Sequence, residues 1–267
     1  MADESLIAVF VDFENLALGV RDMKGGRFDI SLILKRLLEK GRLVYKRAYC
    51  DWKNYRDEVR EFHGQGIELI DIPQSRMSGK NSADIRMVVD ALDLCYSKDH
   101  IDTFALISGD SDFSPLVSKL KENNKRVIGC GVKSSTSELL IGNCDEFIYY
   151  DDLAKAAART KPKTERKKKT SSPKEEARER VVEVLDSIEQ DYDTVWGSLL
   201  KQVIRRVYPG FSEDYYGYGS FSELLEDVAD AGMIELDFDH ERRNYQVSLP
   251  QKKVPRRRKI ASRQKSS

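Results

Sequence analysis

The first hydrophobic run constrains this chain more than any other feature. Leu6–Val11 (LIAVFV) is six apolar residues without a polar interruption, and Asp12 closes it at once. A strand with one face in water alternates apolar and polar residues; an unbroken run has to be covered on both faces. Such strands belong to parallel sheets with helices packed on either side. The residues up to about 150 repeat the alternation. Helical periodicity is expected near Ile30–Glu39, a strand near Leu43–Tyr49, a helix near Asn54–Gln65 and a strand over Ile67–Ile72. A polar loop, Pro73–Asn81, leads to a helix near Ser82–Tyr96, a strand Thr103–Ile107, a helix Phe113–Glu122, a strand Arg126–Gly129 and a short strand Phe147–Tyr149. The expected class is α/β with a central parallel sheet.

After Asp152 the pattern stops. Residues 153–174 are rich in Ala, Lys and Thr, end in Ser-Ser-Pro-Lys, and are expected to be a flexible basic linker. A smaller domain is expected over 175–250, with helices near Glu175–Ile188, Gly197–Val207 and Ser220–Ala231. Gly232 ends the third helix, and strand-like runs follow at Ile234–Phe238 and Asn244–Ser248. Three helices and a terminal hairpin form the winged-helix pattern. Residues 251–267 are expected to be a disordered basic tail.

The formal net charge is zero, from 45 residues of each sign, but the distribution is uneven. Residues 160–174 carry seven basic residues and one acid, and the tail 251–267 carries eight basic residues and none. Setting these aside leaves 30 basic against 44 acidic residues in the parts expected to fold, a balance of −14. Flexible cations attract polyanions by counterion release, with little sequence information. No run of about 18 apolar residues is present, so no membrane-spanning helix is expected, and the N-terminus lacks the pattern of a signal peptide. The four cysteines match no zinc spacing and read as buried thiols of a cytoplasmic protein.

Carboxylates stand where such a sheet would present a ligand. Asp12 follows the first strand, with Asn15 three residues on; Asp110 and Asp112 follow the fourth, in ALISGDSDF. Open α/β sheets bind ligands beyond the carboxyl ends of their strands, so these groups lie within mutual reach if the two strands are neighbours. The helix from Ser82 places Ile85, Val88, Val89 and Leu92 on one face, expected to be buried, and Asp84 borders it in the first turn. Arg86, Asp90 and Asp93 are expected to be solvated. Converging carboxylates are tolerated when a hard divalent cation neutralises them. All-oxygen ligands favour Mg²⁺ or Mn²⁺, which can activate water against a phosphodiester. Lys80 can hold a phosphate, and Ser108 can fix a carboxylate or a water. The structural alternative is that an Asp after a strand caps the next helix, a role that Asp112, before Phe113, fits.

Three motifs, VDFEN (11–15), SADIRMVVDAL (82–92) and ISGDSDFSPLV (107–117), in that order, resemble an NYN domain, the branch of the PIN-like nuclease superfamily that includes LabA-like proteins. The resemblance implies a Rossmann-like fold over residues 1–152 and a Mg²⁺- or Mn²⁺-dependent ribonuclease site. Asp12, Asp84 and Asp110 would bind metal, with Asp112 and Asn15 in support, and the products would carry a 3′-hydroxyl and a 5′-phosphate. Residues 196–236 and the NYQV strand (244–247) resemble the OST-HTH (LOTUS) family, which implies an RNA partner, including structured or G-rich RNA. In that unit Lys201, Arg205 and Arg206 are candidates for phosphate contacts, and Tyr215, Tyr216 and Tyr218 for base stacking; packing of the tyrosines against the third helix is the alternative. The reading is a ribonuclease, with a homo-oligomer allowed. Its rival is a non-catalytic RNA-binding regulator on the same fold. A small-molecule phosphatase fits less well, because Asp12-Phe13-Glu14 is not the Asp-x-Asp that one common phosphatase family needs.

Overall fold

The structure, a computed structural model, describes residues 4–21, 28–73, 81–160 and 172–250. The chain divides into two compact units, Met1–Lys168 and Lys169–Ser267. In the first, β1 (Leu6–Asp12) leads into α1 (Phe13–Arg21), α2 (Ile30–Lys40), β2 (Arg42–Cys50), α3 (Arg56–Gly64) and β3 (Glu68–Asp71). Then come α4 (Ser82–Ser97), β4 (Thr103–Ile107), α5 (Ser114–Glu122), β5 (Arg126–Gly131), α6 (Glu138–Asn143), β6 (Glu146–Tyr149) and α7 (Tyr150–Thr160).

The six strands form one parallel sheet in the order β3-β2-β1-β4-β5-β6. The two unbroken apolar runs, β1 and β4, lie side by side at its centre, where helices cover both faces. Alternation along β1 sends Ile7, Val9 and Val11 into one core with Ile33 and Leu37 of α2, and Ala8 and Phe10 into the other with Met87 and Ala91 of α4. Asp12 continues the second register and so ends the strand on the α4 side of the sheet.

Several local expectations change. α1 begins directly after Asp12, where no helix was expected. α7 runs through Thr160, so residues 153–160 are helical rather than linker, and α7 packs on α2. On α4 the buried residues are Met87, Ala91, Leu94 and Cys95, whereas Ile85 is 63% and Val89 55% exposed. The helix carries two apolar stripes, and periodicity cannot tell which one meets the sheet. Asp90 is not a solvated residue either: it accepts from Arg47 (3.1 Å), from the Tyr49 hydroxyl (2.9 Å) and from Arg86 (3.0 Å).

The second unit contains α8 (Pro173–Ile188), β7 (Val195–Trp196), α9 (Gly197–Val207), α10 (Phe221–Asp230), β8 (Glu235–Asp239) and β9 (Asn244–Ser248). Ser172 and Glu175 form a capping box around Pro173, which fixes where α8 starts, two residues before the expected position. Gly232 (φ 69°) ends the third helix in the left-handed region that glycine enters without steric cost. The strands form an antiparallel sheet, β7-β9-β8, and Val181, Leu185, Leu200, Ile204, Leu224 and Val247 share the core. This is the winged-helix arrangement. No helix among the described residues is long and apolar enough to cross a membrane.

Candidate active site

The sheet order makes the site. From β1 the chain builds outward to β3, then α4 returns it to the opposite side of β1, and β4 to β6 extend the sheet the other way. The crevice at such a reversal, beyond the strands' carboxyl ends, is where open α/β sheets bind ligands. Asp12 ends β1, and the Ser108-Gly109-Asp110 turn follows β4. Four hydrogen bonds lace these ends together. The Ser108 hydroxyl donates to Asp12 Oδ2 (2.9 Å), and the Asn15 backbone N–H donates to Asp12 Oδ1 (3.3 Å). The Asp110 N–H donates to Ser108 Oγ (3.1 Å), and the Gly109 N–H donates to Asn15 Oδ1 (2.9 Å). Gly109 is required by close approach: a Cβ there would stand 2.5 Å from the Ser135 carbonyl oxygen.

Asp12 is 5% exposed, and burial pushes its carboxyl up to about 7; Asp84 and Asp110 push the same way, while Ser108 and the Asn15 backbone oppose. Asp84, in the first turn of α4, is raised to about 6 by burial and by the charges of Asp110, Asp112 and Glu14. These aspartates therefore face one cleft and feel one another. The cleft measures about 430 Å³. Among the described residues, no cation forms an ion pair with Asp12, Asp84, Asp110 or Asp112. No three acidic, His or Cys groups among those residues are already closed around one point as a finished metal cage would be. The donor chemistry still fits a hard divalent cation: the carboxylates are oxygen ligands, and burial with neighbouring like charge makes two of them hold protons above the ordinary range.

Asp12, Asn15, Asp84, Asp110 and Asp112 all line this cleft. The capping role considered for Asp112 falls instead to Asp110, whose Oδ1 accepts from the Asp112 N–H (2.9 Å) and starts the short 3-10 turn before α5. Asp112 itself is exposed. Ser108 is fully buried and serves Asp12 rather than RNA. Lys80 lies outside the described residues. Sequence reasoning missed Glu14, Asp51, Asn54 and Tyr55, which also line the cleft. Glu14 accepts from the Asp51 N–H (3.4 Å), tying the ends of β1 and β2 together. Asp51 was findable, since it comes directly after β2 much as Asp12 closes β1. All four cysteines are free thiols; Cys50, Cys95 and Cys130 are buried and Cys144 half-buried.

In the second unit most of the candidate contacts are already engaged. Lys201 Nζ and Arg205 both pair with Glu213, at 2.8 and 3.3 Å. Arg206 is half-buried. Tyr216 and Tyr218 are core residues, 4% and 2% exposed, because Phe211 and α8 close over the loop that carries them. Tyr215, 73% exposed, remains an accessible stacking surface.

A Rossmann-ordered parallel sheet with aspartates gathered at its switch point defines the first unit as a PIN-like nuclease-fold domain. The chain belongs to the NYN family: the NYN domain matches residues 6–151, and an OST-HTH/LOTUS domain, an RNA-binding module, matches residues 171–242. It is 28% identical over 187 residues to an uncharacterized protein of the archaeon Methanocaldococcus jannaschii, covering 70% of this chain and 71% of that one. It is also similar to a solved protein of unknown function from Vibrio parahaemolyticus, with a TM-score of 0.52 and 29% identity over 57% of this chain and 97% of the other.

Proposed function

We propose that the chain is a metal-dependent ribonuclease. The observation that carries the reading is the cluster of mutually repelling aspartates at the sheet's switch point, with Asp12 buried and fixed by Ser108 and Asn15. Asp12, Asp84 and Asp110, aided by Asp112, would hold Mg²⁺ or Mn²⁺. Such an ion supplies a bound water of lowered pKa and a counter-charge for phosphate. The chain's own part is positional. Ser108 and the Asn15 backbone hold Asp12 in one rotamer, and the Asn15 side chain holds the Gly109 turn that presents Asp110. Water attacks the phosphodiester in line, leaving a 3′-hydroxyl and a 5′-phosphate.

RNA, including structured or G-rich RNA, is held by the OST-HTH unit and by the basic residues of 160–174 and 251–267, in the cytoplasm. An acidic cleft attracts phosphate poorly, so the attraction comes from cations elsewhere in the chain and from the bound ion. The test is cleavage of labelled RNA and DNA with Mn²⁺, Mg²⁺ or EDTA, wild type beside Asp110→Asn. Metal-dependent RNA cutting that the variant loses supports the nuclease. Equal binding without cutting by either protein makes the chain an RNA-binding regulator.

A further inference from the structure

The exposed stripe of α4 has the pattern of an interface. Ile85 (63% exposed), Val89 (55%), half-buried Leu92 and Tyr96 (59%) recur at i, i+4, i+7 and i+11. At 100° per residue they fall within about 60° of the helix circumference, away from the side that Met87, Ala91 and Leu94 bury in the sheet, and Leu92 at the stripe's edge also packs against that core. Scattered apolar residues on a surface need no explanation, but a continuous stripe of this kind does. The 4-3-4 spacing is that of the seam between two packed helices.

The charges beside the stripe decide what covers it. Arg86 and Asp93 sit seven residues apart on one flank, both exposed. If a second α4 packs antiparallel about a two-fold axis near residue 90, Ile85 meets the partner's Tyr96 and Val89 meets the partner's Leu92. Arg86 then meets the partner's Asp93, and symmetry makes each pairing twice. A parallel pairing wastes both charges, setting Arg86 beside the partner's Asn81 and Asp93 beside the partner's Val88. We infer that α4 is the interface of an antiparallel homodimer in solution.

Asp84 is not part of the seam. Asp84 lies about 100° round the helix from Ile85, on the flank away from Arg86 and Asp93. The two copies of Asp84 are thirteen residues apart along the paired helices, about 20 Å at 1.5 Å per residue, so the dimer presents two cleavage clefts at opposite ends of one helix pair.

The test is sedimentation equilibrium of the RNA-free full chain through the micromolar range. A dimer is expected for wild type. Val89→Asp, at an exposed position that the fold does not need, should leave a folded monomer by circular dichroism. Arg86→Asp sets two acids face to face twice and should weaken the dimer at least about tenfold, the effect of some 1.4 kcal/mol. Combining it with Asp93→Arg should restore wild-type association. An internal pair between Asp90 and the arginine introduced at position 93 (i, i+3) in the double variant acts within one copy, so it is read separately, from the melting temperature at a dilution where the chain is monomeric. A monomeric wild type, a dimer indifferent to Val89→Asp, or a double variant no tighter than Arg86→Asp would each overturn the proposal.

Discussion

The cleft of the NYN unit and the core of the OST-HTH unit treat their acids in opposite ways. In the OST-HTH unit, acids are matched by cations. Arg178 grips Asp227 with two hydrogen bonds, of 2.7 and 2.8 Å, and this pair, with the Tyr218 hydroxyl, holds the Asp227 carboxyl below its ordinary range. Burial alone would raise Glu213, but Lys201 and Arg205 outweigh it and the carboxyl is lowered. In the NYN unit Asp12 has hydroxyl and amide partners, neither Asp12 nor Asp84 pairs with a cation among the described residues, and both are raised, by burial first and then by neighbouring acids. Satisfied charge marks a group that holds the fold together; unsatisfied charge marks a group waiting for a ligand. Both units carry acids and bases in plenty, so composition cannot show the contrast. Only the pairing does.

The hardest test of that contrast is removal of a cleft acid. Asp110→Asn or Asp12→Asn should cost more than about 100-fold in metal-dependent cleavage, since changing groups that merely support a metal ligand costs 10–100-fold. The fold should survive, because neither carboxylate pairs with a cation. Measured cleavage within tenfold of wild type would show that these charges are not the catalytic ones. Ser108→Ala sharpens the point. It removes the 2.9 Å bond that orients Asp12 without touching any charge, and it should cost about 10–100-fold in cleavage, relieved in part by excess metal. A metal-independent loss would make Ser108 a structural residue only.

In the other unit the same kind of change should act on stability and not on chemistry. Glu213→Gln leaves Lys201 and Arg205 without their partner and should destabilise the unit by about 1–3 kcal/mol, read from a denaturant midpoint. Cleavage by the remaining folded protein should be unchanged. If Glu213→Gln instead strengthens RNA binding with no loss of stability, the two cations are held in reserve for phosphate and the contrast between the units weakens.

The legibility of the sequence follows the same division. The unbroken runs of β1 and β4 could only be central strands, so the sequence alone puts Asp12 and Asp110 at neighbouring strand ends, where both line the cleft. Asp84 was placed correctly on partly wrong grounds, since α4 carries two apolar stripes and the one read as buried, through Ile85 and Val89, is exposed. For Tyr216 and Tyr218 the fold takes the packing alternative, which the sequence cannot decide, because a loop tyrosine beside glycine reads the same in a core or on a surface. Partners far apart in sequence were invisible: the Arg47–Asp90 and Lys201–Glu213 pairs exist only once the chain is folded. Asp51 was readable by the rule that found Asp12, yet its strand, β2, lacks the unbroken apolar run that draws attention to strand ends.

The smallest expected effect separates the units by pH. Asp12 and Asp84 hold protons in the folded state up to about 7 and about 6, against an ordinary aspartate value of 3.8. Between those limits the folded chain binds protons that the unfolded chain has released, so stability falls as pH rises. The metal-free NYN unit should therefore gain a few degrees in melting temperature on going from pH 8 to pH 5.5, at roughly 2–4 °C per kcal/mol for a domain of this size. Asp227 and Glu213 have the opposite sign. Their lowered carboxyls stabilise the OST-HTH unit above the ordinary carboxylate range and lose that contribution only in stronger acid, as pH falls through their folded values. Mn²⁺ should reverse the NYN trend. A cation needs the deprotonated carboxylates, so it should raise the melting temperature more at pH 8 than at pH 5.5. Asp12→Asn should flatten both responses in the NYN unit and leave the OST-HTH unit unmoved. A metal-free NYN transition that climbs from pH 5.5 to pH 8, or a slope that Asp12→Asn does not change, would mean that the cleft acids are balanced after all.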